Sequence, residues 1–349
     1  MSQHQKIILL LLILTLPIAA LVACGTGAAS IAPKELISML GHRLGWVSEP
    51  TFSASQAAIV SIIRLPRVLM SLLVGATLAI CGTAMQGLFR NPLADPSLIG
   101  VSTGATLSAA LAIVILGPML THAEAEWGVP LLPVVTFGGA VLSTFLIFGL
   151  ASDRRGTNVA TMLLAGIAIN ALAGAGVGLL TYLADDEQLR TLTFWTLGSL
   201  GGINWQSVVW MGGSLFIVLA LLLPMSKYFN ALTLGEQEAH YLGVPVEQLK
   251  QRVILATGLG IGCTVAFCGV IGFVGLVIPH LLRLVGGGQH RYLLPASALG
   301  GSLILCLSDT VSRTLVAPAE LPIGIVTAII GAPVFLLLLF QQNKRGQNA

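Results

Sequence analysis

Apolar runs of about 20 residues recur along the whole chain, each closed by a cluster of charged or turn-forming residues, and no other feature restricts the fold so tightly. An α-helix rises about 1.5 Å per residue, so about 20 apolar residues cross a hydrocarbon core of about 30 Å. Runs near 6–25, 65–88, 97–118, 130–152, 159–183, 206–225, 251–271, 274–285, 292–312 and 323–340 predict ten helices, several short or broken. Composition agrees: 9% of residues are charged and 55% hydrophobic, against about 25% charged in a soluble domain. The expectation is an all-α, polytopic transmembrane helical bundle of about ten helices, forming one domain over residues 1–349 without a convincing internal repeat.

Several function classes fall away. The net charge of +3 comes from basic residues scattered between apolar runs, with no stripe to track phosphates, so no nucleic-acid partner is expected. Cys24, Cys81, Cys263, Cys268 and Cys306 lie in apolar surroundings without CxxC spacing or a histidine cluster, and read as small buried hydrophobes rather than disulfides or metal ligands. No HExxH, GxSxG, paired intramembrane carboxylates or P-loop occurs, so neither an intramembrane enzyme nor an ATPase of its own is expected. Lys6 followed by an apolar run ending Leu21-Val22-Ala23-Cys24 imitates a secretion signal with a lipoprotein box, but more membrane follows, so a retained first helix is expected.

Lysine and arginine set the orientation, because cytoplasmic loops retain positive charge. With the N-terminus inside, Lys6, Arg90, Arg154, Arg155, Lys227, Lys250, Arg252, Arg283, Arg291, Lys344 and Arg345 are cytoplasmic, and Lys34, Arg43, Arg64, Arg67, Arg190 and Arg313 are not. An even number of spans returns the C-terminus to the cytoplasm. The acidic residues Glu35, Glu49, Glu124, Glu126, Asp185, Asp186, Glu187 and Glu320 collect outside. A proton- or sodium-coupled carrier needs an ionisable group near mid-membrane; the nearest are Asp309 and His280, each close to a predicted helix end, so the energy source is expected elsewhere.

The loop 228–250, between the sixth and seventh runs, holds Leu234, Gly235, Glu236, Glu238 and Ala239 in a sequence suited to a short helix. Gly243 follows Ala239 by one turn, which predicts a small-residue face able to seat in a partner. Arg64 and Arg67 flank Pro66 at the outer start of the second run, and Arg313 ends the ninth, against the positive-inside bias. Interfacial snorkelling gives the same placement. Asn91-Pro92-Leu93 must break a helix at the inner side, since proline removes a donor and restricts its predecessor. Such a break either just ends the helix or turns side chains into a pathway.

Three stretches carry a resemblance: Arg64-Leu65-Pro66-Arg67 with Gln86-Gly87-Leu88-Phe89-Arg90-Asn91-Pro92-Leu93-Ala94-Asp95-Pro96; Leu232-Thr233-Leu234-Gly235-Glu236 through Gly243; and Gly272-Phe273-Val274-Gly275-Leu276-Val277-Ile278-Pro279-His280 on to Asp309, Arg313 and Glu320-Leu321-Pro322-Ile323-Gly324. From about residue 55 onward the chain resembles the permease family of bacterial ABC importers for ferric siderophores, haem and vitamin B12. That resemblance implies an inner-membrane homodimer with two cytoplasmic ATPase subunits that bind the ATP, a periplasmic substrate-binding protein, and no permanently bound cofactor. It implies ATPase coupling at Leu234, Gly235, Glu236, Glu238, Ala239 and Gly243, and binding-protein docking at Arg64, Arg67 and Arg313. It also implies a cytoplasmic gate at Asn91, Leu93, Val159 and Ala160, although some relatives place small hydroxyl residues where this chain has Val159 and Ala160. Pro279-His280 recurs among members with different cargo, which favours a structural His280 over haem ligation. The stretch around Phe194-Trp195 is more similar to haem importers than to the B12 branch, so haem is the expected substrate. A siderophore or B12 permease, or a non-ABC secondary carrier, are the alternatives.

Overall fold

The structure, a computed structural model, describes all residues except 28–30, 44, 47–50, 118, 121–129, 154–155, 318 and 348–349. Glu49, Glu124, Glu126, Arg154 and Arg155 therefore lie outside the described residues. Among the described residues the regular secondary structure is helical apart from one β-ladder with two residues per strand, Ser152–Asp153 with Gly156–Thr157. The helices are α1 (Gln3–Gly25), α2 (Pro33–Arg43), α3 (Ala54–Leu88), α4 (Val101–Val114), α5 (Leu131–Ala151), α6 (Val159–Leu183), α7 (Asp186–Thr196), α8 (Trp205–Leu232), α9 (Glu236–Tyr241), α10 (Val246–Cys268), α11 (Val274–Gly286), α12 (His290–Thr314) and α13 (Ile323–Gln347).

Local chemistry starts these helices where the sequence changes character. Ser2 and Gln5 form a capping box at α1, and Asp185 and Gln188 another at α7. Asn158 caps α6 by accepting from the amides of Ala160 and Thr161, and Asn204 caps α8 by accepting from Ser207 N. Among the described residues seven helices are long and apolar enough to cross a membrane, and three shorter apolar helices lie at 101–114, 274–286 and 323–337. The ten expected runs thus all fall on helices, but only seven reach spanning length by themselves.

α3 is the axle of the bundle. Its most apolar stretch is 83% buried, against 17% for α1 and for α6. Hydrophobicity does not draw helices together in lipid, so close packing must, and small residues allow it. A Cβ placed on Gly75 would fall on the Gly301 carbonyl of α12, and one on Gly82 would fall on Gly275 of α11. The first turns of α3 widen into a π-helix over Ile59–Arg64, where the Leu65 amide reaches back to the Val60 carbonyl. The Ser61 carbonyl accepts the Trp205 indole at 3.0 Å.

Between α3 and α4 the chain is not α-helical. Asn91 Oδ1 accepts from Leu93 N at 2.9 Å, Asp95 caps a 3-10 turn at Pro96–Ile99, and Gly100 adopts φ 74°. This segment runs into the bundle along α6. The Asn170 amide donates to Ser97 O at 3.3 Å, Thr103 bonds Asn170 Oδ1, and Gly166 abuts the Leu98 carbonyl. At 1.5 Å per residue these partners lie about 10 to 16 Å along α6. Irregular backbone is tolerated at that depth only where protein satisfies its polar groups, and the detour leaves α4 only 14 residues.

Candidate functional site

Helix ends meet at two poles. At the amino pole, where α1 begins, Gln5 Nε2 donates to Gly286 O at 2.8 Å and His290 N donates to Asn230 Oδ1 at 2.9 Å. At the arginine pole, Ser199 N donates to Cys268 O at 2.8 Å, and Ile323 N and Gly324 N donate to Gly198 O and Leu197 O at 3.0 Å. Each junction joins ends that an alternating up-down path puts on one side.

The amino pole carries a cleft of about 1080 Å³ between the start of α6, the β-ladder, α9 and the start of α10. Its lining joins Val159 and Ala160 to Glu236 and Lys250, and includes Arg90. Half of the expected gate and part of the expected coupling segment therefore share one surface. Asn91 is exposed and Leu93 half-buried on the loop that follows Arg90, and neither lines the cleft.

α9 departs from expectation in one respect. Ala239 is fully buried, and Gly243 lies beyond the helix end at φ 80°. Val244 N bonds Ala239 O at 3.0 Å and Gly243 N bonds His240 O at 2.9 Å, the paired bonds of a Schellman motif. Ala239 and Gly243 thus do not form an outward small-residue face: one packs inward, and the other supplies the left-handed residue that stops the helix. Gly235, at φ 133°, precedes the helix, and Glu238 Oε2 lies beside it. The outward apolar surface is instead Leu234, Tyr241 and Leu242, each more than 60% exposed. A Cβ on Gly243 would meet nothing within 4 Å, so Gly243→Ala should cost only the left-handed backbone, about 1 kcal/mol. Amide exchange is expected to quicken at residues 243 and 244 with no change at α12.

A polar tie forms part of the cleft wall. Lys250 Nζ donates to Thr157 O at 2.7 Å and to Glu236 Oε2 at 2.8 Å. Glu247 Oε2 accepts from Thr157 N at 3.1 Å, and Glu247 Oε1 from the Thr157 hydroxyl. Of this group the sequence singled out Glu236 alone, and for coupling rather than for this contact. Its one local signal is that Glu247 and Lys250 sit three residues apart, on one face of α10.

At the arginine pole, Arg67 bonds Asp309 through Nε at 2.9 Å and Nη2 at 2.9 Å, and Glu320 through Nη1 at 2.8 Å. Arg313 Nε donates to Asp309 Oδ2 at 3.1 Å, and its Nη atoms reach Thr26 O and Ala23 O at 3.0 Å. Arg64 Nη1 donates to Cys24 O at 2.7 Å and Gly25 O at 3.0 Å. All three arginines are buried: Arg64 and Arg313 satisfy carbonyls that the end of α1 leaves open, Arg67 joins α3 to Asp309 of α12, and together they clamp α1, α3 and α12. Guanidinium suits this work, with five fixed donors and a charge it does not lose.

Among the described residues no group of three or more His, Cys, Asp or Glu is arranged to hold a metal ion. All five cysteines are free thiols and buried. His280, half-buried on α11, has an Nδ1 without a hydrogen-bond partner among the described residues.

The chain as a whole is similar to known transport proteins. The hemin transport system permease protein HmuU of Yersinia pestis is 44% identical over 346 residues, covering 98% of each chain. The vitamin B12 import system permease protein BtuC of Salmonella paratyphi A is 40% identical over 336 residues, covering 96% of this chain and 95% of that one. A solved metal-chelate type ABC transporter in an inward-facing conformation superposes with a TM-score of 0.80 at 35% identity, covering 96% of this chain and 99% of that one. PsaBC from Streptococcus pneumoniae shares the fold at a TM-score of 0.56 and 16% identity, covering 80% of this chain and 92% of that one. The FecCD transport family matches residues 10–341, and the chain, an ABC importer permease, belongs to that family.

Proposed function

We propose that this permease carries haem from a periplasmic binding protein to the cytoplasm as a homodimer, with ATP bound and hydrolysed by two partner subunits. The observation that carries the cargo is the 44% identity over 98% of both chains to a hemin permease. Vitamin B12 is the second reading, supported by 40% identity to B12 permeases. In this reading ten helices cross the inner membrane, the three short ones included, with both termini and the cleft in the cytoplasm, as the charge bias favours.

The chain's own groups suggest how each part works. The ATPase seats on loop 228–250 through exposed Leu234, Tyr241 and Leu242, while Gly235, Glu236, Glu238, Ala239 and Gly243 hold α9 in shape beneath them. Val159 and Ala160, with Asn91 and Leu93, form the inner gate. Docking of the binding protein at Arg64, Arg67 and Arg313 proceeds by an incoming carboxylate displacing Glu320, whose side chain is 46% exposed, whereas Arg67 itself is 9%. A conduit must release what it carries, so in this reading the permease does not ligate the haem iron.

Purified permease, its ATPase and its binding protein in liposomes test the reading. ATP-dependent uptake of haem should exceed that of B12 by about tenfold or more, the step that 1.4 kcal/mol produces. Equal or greater B12 uptake would transfer the cargo to the second reading. His280→Ala is expected to retain most haem uptake. A haem-iron absorbance band that vanishes in a well-folded His280→Ala protein, together with lost uptake, would show ligation instead.

A further inference from the structure

We infer that Lys250, seconded by Glu247, is a positioning pair that ties the ATPase seat to the inner gate, so that displacement of α9 is conveyed to the start of α6. The inference deepens the proposed function and rests on it for the identity of seat and gate.

The geometry leaves little slack. Glu236 is the first residue of α9, and Thr157 stands directly before Asn158, the N-cap of α6. One ammonium joins both, at 2.8 Å to the Glu236 carboxylate and 2.7 Å to the Thr157 carbonyl. Lys250 is itself 5% exposed and Thr157 4%, so water offers no ready replacement for the bond between them, whereas the Glu236 carboxylate is 37% exposed at the cleft. Glu247, one turn earlier on the same face of α10, takes both the amide and the hydroxyl of Thr157. Thr157 is thereby held by its amide, its carbonyl and its side chain from a single helix. The β-ladder continues the hold, with Asn158 N on Ala151 O at 2.8 Å. A rigid α6 then carries any movement of Thr157 into Val159 and Ala160, which line the same cleft as Glu236. Among the described residues no bond joins α9 directly to α6, so Lys250 is the shortest polar route between them. An ammonium offers three donors to two acceptors on separate elements. Methionine matches its length and offers none.

The test uses the assembled complex in proteoliposomes, with Ala160→Cys as a probe read by a membrane-impermeant maleimide. The natural cysteines are buried, which leaves the probe selective. In the parent, ATP with vanadate should change the labelling rate. Lys250→Met should reduce that change, and with it haem uptake per ATP hydrolysed, by about fivefold or more, the lower end of ordinary coupling between sites. Lys250→Arg should restore much of both. Should Lys250→Met fail to assemble, Glu247→Gln, which keeps shape and neutralises one partner, should move both readouts in the same direction. An absent nucleotide response in the parent, or parental responses in every variant that assembles, overturns the tie. A nucleotide response that depends on Lys250 in a complex that moves no haem supports the tie and counts against the cargo.

Discussion

Asp309→Ala is expected to be the most damaging single substitution at the arginine pole, costing about 3 to 5 kcal/mol, because it strands two buried guanidiniums. Asp309 is 1% exposed and accepts from Arg67 and from Arg313. Among the described residues its removal leaves Arg67 with Glu320, and leaves Arg313 with the Ala23 and Thr26 carbonyls at the end of α1. Asp309→Asn keeps one carbonyl oxygen for one guanidinium and should lose less. Unfolding by a denaturing detergent, followed through tryptophan fluorescence in micelles, would rank wild type above Asp309→Asn above Asp309→Ala. Three equal midpoints would show that the cluster is ornamental to stability and leave its role to the binding protein.

A comparable effect is expected from a single methyl group at the helix crossings of α3. Gly75→Ala and Gly82→Ala each drive a carbon into backbone, the Gly301 carbonyl of α12 and Gly275 of α11. Backbone cannot rotate aside as a side chain can, so each should cost about 3 kcal/mol, the upper range for overpacking. Gly138→Ala on α5 is the internal control. A Cβ there meets nothing within 4 Å, and alanine's better helix propensity should leave stability level or up to about 1 kcal/mol higher. The same unfolding measurement reads all three. Indistinguishable midpoints would mean that α3 does not approach α11 and α12 as closely as the structure has it.

What could be read in advance follows the range of each interaction. Hydropathy is local, so the run expected at 159–183 coincides with α6, and that expected at 274–285 falls one residue short of α11. α2 and α7 escaped because each is amphipathic and short, with no apolar run to betray it. The second run was expected at 65, yet α3 begins at Ala54, because Arg64 and Pro66 read as a boundary whereas the helix passes through both. Arg67 and Asp309 lie 242 positions apart, and no window along a sequence joins them. The only warning was arginine on the side where positive charge is scarce. For Lys250 and Thr157, 93 positions apart, even that warning was missing. Ala239 and Gly243 show the reverse error, where spacing alone suggested one face and the left-handed turn at Gly243 removed it.

The widened turn at Ile59–Arg64 has a consequence for how this chain can change in length. A single residue deleted from a regular helix rotates everything on one side of the cut by about 100°, which would swing α3's buried side chains toward lipid. A π turn is an α-helix that has absorbed one extra residue without passing on the rotation. Loss of one residue there would let the turn relax to α geometry, with Ala54–Ala58 and Leu65–Leu88 both keeping their faces. The stretch is thus a spelling tolerance in an otherwise unforgiving helix, and relatives that differ by one residue at this point should keep the same axle.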